Sequence, residues 1–323
     1  MHRLWLLAVG SAAAIAFAAE QTAAHQALLD KVRVRMDDNL SHLPDYTCLE
    51  TTERLERLHS EPRFEPMDTV RLEVGLVNGK ELFSCPGATT FDDQDVDHFV
   101  TGGAIGSGSF ALHAKVVFQS DAPQFTWVGE QVLNGRPALR WDYTVDRSHG
   151  GFVRTFDRQA TLGTHGSFWV DATTLDVVRL DIEVDDIPAQ LELSRVGSSL
   201  EYARATIGDS AFLLPQHAEL HLLDTHHPES LNRIRFTSCR QYPGESTLSF
   251  TDPVAGAASA APAPLRTVEL PAGLDLYVAL KTPIQSGVTA VGDPVTFELQ
   301  QNLKDHGFGG AGARHYVAAV PAE

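Results

Sequence analysis

Thr69-Val70-Arg71-Leu72-Glu73-Val74-Gly75-Leu76-Val77-Asn78-Gly79-Lys80-Glu81-Leu82-Phe83-Ser84 is the stretch on which the architecture turns. Val70, Leu72, Val74 and Leu76 fall at every second position with Arg71 and Glu73 between them, which gives a strand one apolar face and one polar face. Asn78-Gly79 then supplies two residues that tolerate the left-handed backbone of a tight hairpin turn, and Lys80 to Ser84 returns. The same device recurs where Phe125 to Leu133 reaches Asn134-Gly135 and Arg136 to Val145 returns, with Leu139, Trp141 and Tyr143 on its apolar side.

Outward from these hairpins the alternation predicts further strands at Phe152–Ala160, Gly166–Asp171, Val177–Val184, Gln190–Leu193, Leu200–Ile207, Leu213–Leu223, Ile234–Cys239 and Ser246–Phe250. Short loops separate them, as an antiparallel meander requires. The alternation fails between Phe91 and Phe118. There Asp95–Val100 and Phe110–Phe118 read as two short helices around the glycine-rich run Thr101 to Gly108, placed to act as a lid on the sheet. Upstream, Leu28, Val32, Met36, Leu40 and Leu43 mark one face of a helix that starts at Glu20 and ends before Pro44.

The chain has 323 residues, 43% of them hydrophobic, and a formal charge of −17, which excludes general disorder and a purely electrostatic nucleic-acid binder. Arg3, the apolar run Leu4 to Phe17 and Ala16-Phe17-Ala18 have the pattern of a cleaved signal peptide, residues 1–18. The expected mature chain starts near Ala19, lacks a transmembrane anchor, and is periplasmic or secreted. Such a compartment permits a disulfide among Cys48, Cys85 and Cys239. Cys48 opens the first strand and Cys239 ends the last long one, so Cys48–Cys239 is the favoured pairing, although spacing alone does not set connectivity. Residues 19–250 form the main domain. Thr251 to Leu265 holds six alanines and three prolines in fifteen residues, so residues 251–266 read as a linker. Residues 267–323 form a small C-terminal β-domain with strands at Leu274–Leu280 and Val295–Leu299, losing the alternation from Gly307 to Glu323.

The phrase Gly166-Ser167-Phe168-Trp169-Val170-Asp171-Ala172-Thr173-Thr174-Leu175-Asp176-Val177-Val178-Arg179-Leu180, with the leading helix and the meander, resembles the periplasmic lipoprotein-carrier superfamily. The resemblance implies a strongly curved, incomplete β-barrel closed by helices around an apolar cavity for acyl chains. Leu43-Pro44-Asp45-Tyr46-Thr47-Cys48, Phe212-Leu213-Leu214-Pro215 and Cys239-Arg240-Gln241-Tyr242 also resemble an uncharacterised secreted bacterial family, which implies no activity. Leu270-Pro271-Ala272-Gly273 and Val291-Gly292-Asp293 are similar to a small β-domain of envelope proteins, whose pattern the chain leaves after Asp305. The fold class is thus mainly β (α+β): a curved antiparallel sheet or incomplete barrel, an N-terminal helix, a short helical lid and a small C-terminal β piece.

Few residues carry chemistry. His217, Glu219 and His221 share one strand face, but Ala218, Leu220 and Leu222 give the other face to the core, so an outer solvated surface outweighs a metal site. Asp93, Asp95 and Asp97 open like a calcium loop, which His98 and Ala104 then break. Nucleophile, phosphate-loop and zinc-protease signatures are absent from the sequence, and neither cofactor nor metal is expected. Phe110, Phe118, Trp127, Trp141, Phe168 and Trp169 are the candidate lining of an apolar pocket. The expected role is non-catalytic binding of a lipid, an apolar ligand or a lipidated partner. A scaffold that docks on another envelope protein is the alternative, and a hydrolase the weakest reading.

Overall fold

The computed structural model of the chain describes residues 5–58, 60–88, 91, 95–106, 112–155, 158–226, 228–242, 277–300 and 316–318. Chain order runs α1 (Trp5–His42), β1 (Tyr46–Arg57), β2 (Glu65–Val77), β3 (Lys80–Ser84), α2 (Leu112–Gln119), β4 (Gln124–Leu133), β5 (Arg136–Val145), β6 (Gly151–Thr155), β7 (Arg158–Leu162), β8 (Thr164–Asp171), β9 (Val177–Val184), β10 (Leu193–Ile207), β11 (Ser210–Asp224) and β12 (Glu229–Gln241). All of these strands except β6 and β7 join one antiparallel sheet in the order β3-β2-β1-β12-β11-β10-β9-β8-β5-β4. The sheet curves without closing, because β3 and β4 lie at opposite edges. Both expected hairpins form, with φ of 51° and 76° at Asn78-Gly79 and 50° and 79° at Asn134-Gly135.

Two features of this order position everything else. The first strand β1 pairs with the last, β12, from Tyr46 against Gln241 to Arg57 against Glu229. Cys48 and Cys239 are joined there across the seam, 191 residues apart in sequence, and Cys85 takes no part. The chain must also pass from the β3 edge to the β4 edge, and that crossover carries α2 over the concave face. A 3₁₀ turn at Val96–Phe99 stands where the first lid helix is expected.

Along each strand the concave side takes every second residue. Val70, Leu72 and Val74 of β2, Ile234 and Phe236 of β12, Leu180 and Ile182 of β9, Phe168 and Val170 of β8, and Trp141 and Tyr143 of β5 all belong to one buried cluster. Helix α1 reaches that cluster through Leu29, Val32, Met36 and Leu40, and α2 through Ala114, Val117 and Phe118. Asn39 fixes α1 to the sheet. Its carboxamide donates to the Leu213 carbonyl at 3.0 Å and accepts from the Leu213 amide at 2.7 Å, beyond the residues of β11 that pair with β12. Asp176, in the turn between β8 and β9, binds Arg35 of α1 (2.8 Å) and Arg204 of β10 (2.7 and 2.8 Å). Burial would raise its carboxyl, but the bonds from Arg204 and Arg35 outweigh that and hold it below the ordinary carboxylate range.

The structure departs from the sequence reading in several elements. Phe152–Ala160 is a hairpin of β6 and β7 outside the large sheet; Thr155-Phe156-Asp157-Arg158 lacks the glycine or asparagine that would have marked a turn. Gln190–Leu193 is no strand: a 3₁₀ turn at Ala189–Leu191 follows Pro188, Glu192 has φ 58°, and β10 begins at Leu193. The first helix extends upstream to Trp5. The expected strand Ser246–Phe250, the linker 251–266 and Phe110 lie outside the described residues.

By its contacts the chain divides into two units, one of them Met1–Tyr242 with Thr289–Asp293. Val291-Gly292-Asp293, read from sequence with the C-terminal piece, sits on the first unit as a parallel bridge to Val70. The Val291 carbonyl accepts from the Arg71 amide at 2.7 Å, and Asp293 pairs with the Arg71 guanidinium at 2.7 Å. Gly292 has φ 92°, and a Cβ there would lie 2.1 Å from the Arg71 carbonyl oxygen, so only glycine fits. The second unit contains a three-stranded antiparallel sheet of β13 (Val278–Leu280), β14 (Val295–Leu299) and β15 (Tyr316–Ala318). The strand β15 falls within the stretch where the sequence loses its alternation.

Candidate apolar-ligand cavity

The concave face is filled over most of its extent. Phe168 stacks on Trp141 with ring centroids 5.5 Å apart, Phe118 and Phe125 meet Phe168 edge-on at 5.2 and 5.9 Å, and Trp127 meets Trp141 at 4.7 Å. Burying an aromatic ring of this kind stabilises by roughly 1.5–3 kcal/mol. Trp169 projects from the opposite face, where its indole N–H donates to Gln131 Oε1 at 2.9 Å and Arg140 and Arg179 lie over its ring. The structure therefore brings Phe118, Trp127, Trp141 and Phe168 together as packed core and sets Trp169 apart from them.

Space remains at one end of the concave face, where the side chains are smaller. A cavity of about 250 Å³ is walled by Thr164 of β8, Ile182 and Val184 of β9, Val196 and Ser198 of β10, and Leu220 and Leu222 of β11. Val153 of β6, Leu162 of β7, Ile105 of the crossover and His113 of α2 complete it. The register explains the grouping: Ser198 stands beside Ile182 on one side and Leu220 on the other, and Thr164 beside Val184. None of Phe118, Trp127, Trp141, Phe168 and Trp169 lines this space, and Phe110 lies outside the described residues.

Among the described residues the polar groups of the wall are few and uncharged. Tyr143 donates its hydroxyl to the Asp181 carbonyl at 3.0 Å, so its oxygen accepts from His113 Nε2, 2.9 Å away. That bond puts the imidazole proton on Nε2. Burial pushes His113 down to about 4, so it is neutral at pH 7. Ser198 Oγ and Thr164 Oγ1 are buried without a hydrogen-bond partner among the described residues. Neighbouring β12 adds Asn232, fully buried, with neither carboxamide atom partnered among them.

Polar groups also occupy the interior beyond the cavity. Arg54, buried on β1, forms a two-pronged pair with Asp68 and donates from Nη1 to the Gly102 carbonyl at 2.6 Å, fastening the crossover to the sheet. Glu50, on the same side of β1, accepts from the Thr52 hydroxyl at 2.9 Å. Burial pushes its carboxyl up to about 8 despite that bond, with the charge of Glu81 adding to the rise.

The outer face offers a different surface. A depression of about 330 Å³ there is lined by Glu53, Glu201 and Glu219 alternating with Arg179, Arg233 and Arg235, a charge-balanced set. His217 and Glu219 are exposed on it, as the strand alternation predicts, while His221 is bound to Glu229. Among the described residues no cluster of His, Cys, Asp and Glu could hold a metal ion. Of the calcium-like acids, Asp93 lies outside the described residues, Asp95 precedes the 3₁₀ turn and Asp97 lies within it.

No family profile and no curated protein matches the chain. Among solved structures it is similar to a domain described as that of an outer membrane lipoprotein-sorting protein from Vibrio parahaemolyticus, at 11% identity and a TM-score of 0.38, over 66% of this chain and 92% of that one. It is likewise similar to a DUF1329 family protein from Desulfovibrio piger (13% identity, TM-score 0.39, 68% and 94% covered). A LolA superfamily protein from Nitrosomonas europaea gives 9% identity and a TM-score of 0.36, with 66% and 93% covered. Among the described residues no helix is long and apolar enough to cross a membrane.

Proposed function

We propose that this is an exported envelope protein, cleaved after residue 18, whose main β-domain binds an apolar or lipid-like ligand, or the acyl chain of a lipidated partner, without chemical conversion. The observation that carries this reading is the partly open cavity of about 250 Å³ on the concave face, walled mainly by Ile, Val and Leu side chains. A cavity of about 150 Å³ lined by aliphatic and aromatic side chains already takes up benzene, so this one has room for more than a single ring. A leader-like N-terminus and a disulfide across the β1–β12 seam both suit an oxidising compartment.

The site disfavours hydrolysis. Ser198 and His113 share the wall, but Ser198 Oγ makes no bond to the imidazole, whose Nε2 is taken by Tyr143. A docking role through the sheet edge has weaker support: on edge strand β4 the exposed Val128 and Val132 are separated by Glu130, which breaks up any apolar patch.

Native mass spectrometry of the full chain after gentle extraction should show a co-purifying lipid. Val196→Phe, which directs a ring into the cavity, should abolish its uptake and leave the fold's circular dichroism unchanged. A clean apo mass from a lipid-rich host, with wild type and variant equal toward an apolar fluorescent probe, would refute the proposal.

A further inference from the structure

The cavity wall contains polar atoms that the fold itself does not use. Asn232, Leu220 and Ser198 stand abreast on β12, β11 and β10, and Thr164 lies beyond β9 on the other side of the same space. Ser198 Oγ, Thr164 Oγ1 and both carboxamide atoms of Asn232 are buried and lack partners among the described residues. Buried polar groups are nearly always satisfied, and an alanine, valine or leucine in the same place would avoid the desolvation cost. A fold that served only to enclose hydrocarbon would gain from those replacements.

Resting on the proposed ligand-binding role, we infer that the cavity selects an uncharged ligand whose apolar chain carries a neutral oxygen function, an alcohol or an ester, and that Ser198 and Thr164 receive that oxygen. Ser198 and Thr164 are wall residues whose hydroxyls move with a single χ1 rotation, and each can donate as well as accept. The same wall turns away a carboxylate. Among the described residues it holds no Lys or Arg, its one imidazole has its Nε2–H committed to Tyr143, and Arg54 is spent on Asp68 and Gly102. An ionised acid placed there would be desolvated without compensation.

The test is calorimetric titration of the full chain at neutral pH with four probes of one chain length: octane, 1-octanol, methyl octanoate and sodium octanoate. The alcohol and ester should bind at least tenfold more tightly than the carboxylate. In Thr164→Val/Ser198→Ala, affinity for alcohol and ester should fall about tenfold, while octane binds as well as before or better and the thermal midpoint does not drop. Octanoate binding as well as the ester, or alcohol and ester affinities unmoved in the double variant, would overturn this inference and leave the apolar cavity standing. Failure of all four probes, octane included, would overturn the ligand-binding reading with it.

Discussion

Replacing Glu50 by glutamine should make the protein more stable at neutral pH. The carboxyl is 1% exposed, its Oε2 lacks a partner among the described residues, and burial raises it from an ordinary 4.5 to about 8. Because the folded value lies above the unfolded one, the folded chain holds a proton that the unfolded chain releases between those two values. The group's contribution is therefore fully present below pH 4.5 and is lost as pH rises toward 8. Each pH unit in that window costs about 1.4 kcal/mol, which amounts to about 3 kcal/mol at pH 7. Glutamine keeps an oxygen for the Thr52 hydroxyl and has nothing to ionise. Urea denaturation from pH 4.5 to 8 should show wild-type stability falling relative to Glu50→Gln, with the curves meeting at the acid end. Parallel curves, or a variant less stable than wild type at pH 7, would refute the reasoning.

Asp176 should behave in the opposite sense. Its folded value is depressed by Arg204 and Arg35, so its contribution is present above the unfolded carboxylate range and is lost as pH falls through the folded value; Asp176→Asn should cost about 1–3 kcal/mol at pH 7 and flatten the acid limb of a midpoint-versus-pH profile. Cys48→Ala/Cys239→Ala opens a link between residues 191 apart in sequence and should lower stability by about 5 kcal/mol in the chain-entropy model, matched by reductant on the wild type in denaturant titrations. Asn39→Ala leaves the Leu213 amide and carbonyl unpaired and should cost about 1–3 kcal/mol, with faster hydrogen exchange at the start of β11.

Local chemistry made the sheet readable. Asn78-Gly79 and Asn134-Gly135 announce their hairpins because few other residue pairs accept two successive positive φ angles. Alternation also told which side of β11 faces inward, and the position of Cys48 and Cys239 at the ends of the meander pointed to their bond. The cavity was not legible in the same way. Alternation says which face a side chain joins, and nothing about whether the space opposite is filled. Aromatic residues drew attention to Trp141, Phe168 and Phe118, yet bulky rings close space around themselves. The cavity opens where the concave face is built from Val184, Val196, Ser198 and Thr164, residues that in a single strand look like ordinary interior positions. Their convergence depends on the register of four strands, which no local pattern encodes.

The adjacency of β1 and β12 also governs when the protein can form. β1 can pair with β2 as soon as Val77 is made, but its other side has no partner until the chain reaches Gln241. A sheet whose central seam joins residues so far apart has a high contact order, and such topologies fold slowly. Until then β1 keeps a bare edge, open to pairing with other chains. The seam that the Cys48–Cys239 bond closes therefore cannot form before β12 has been made.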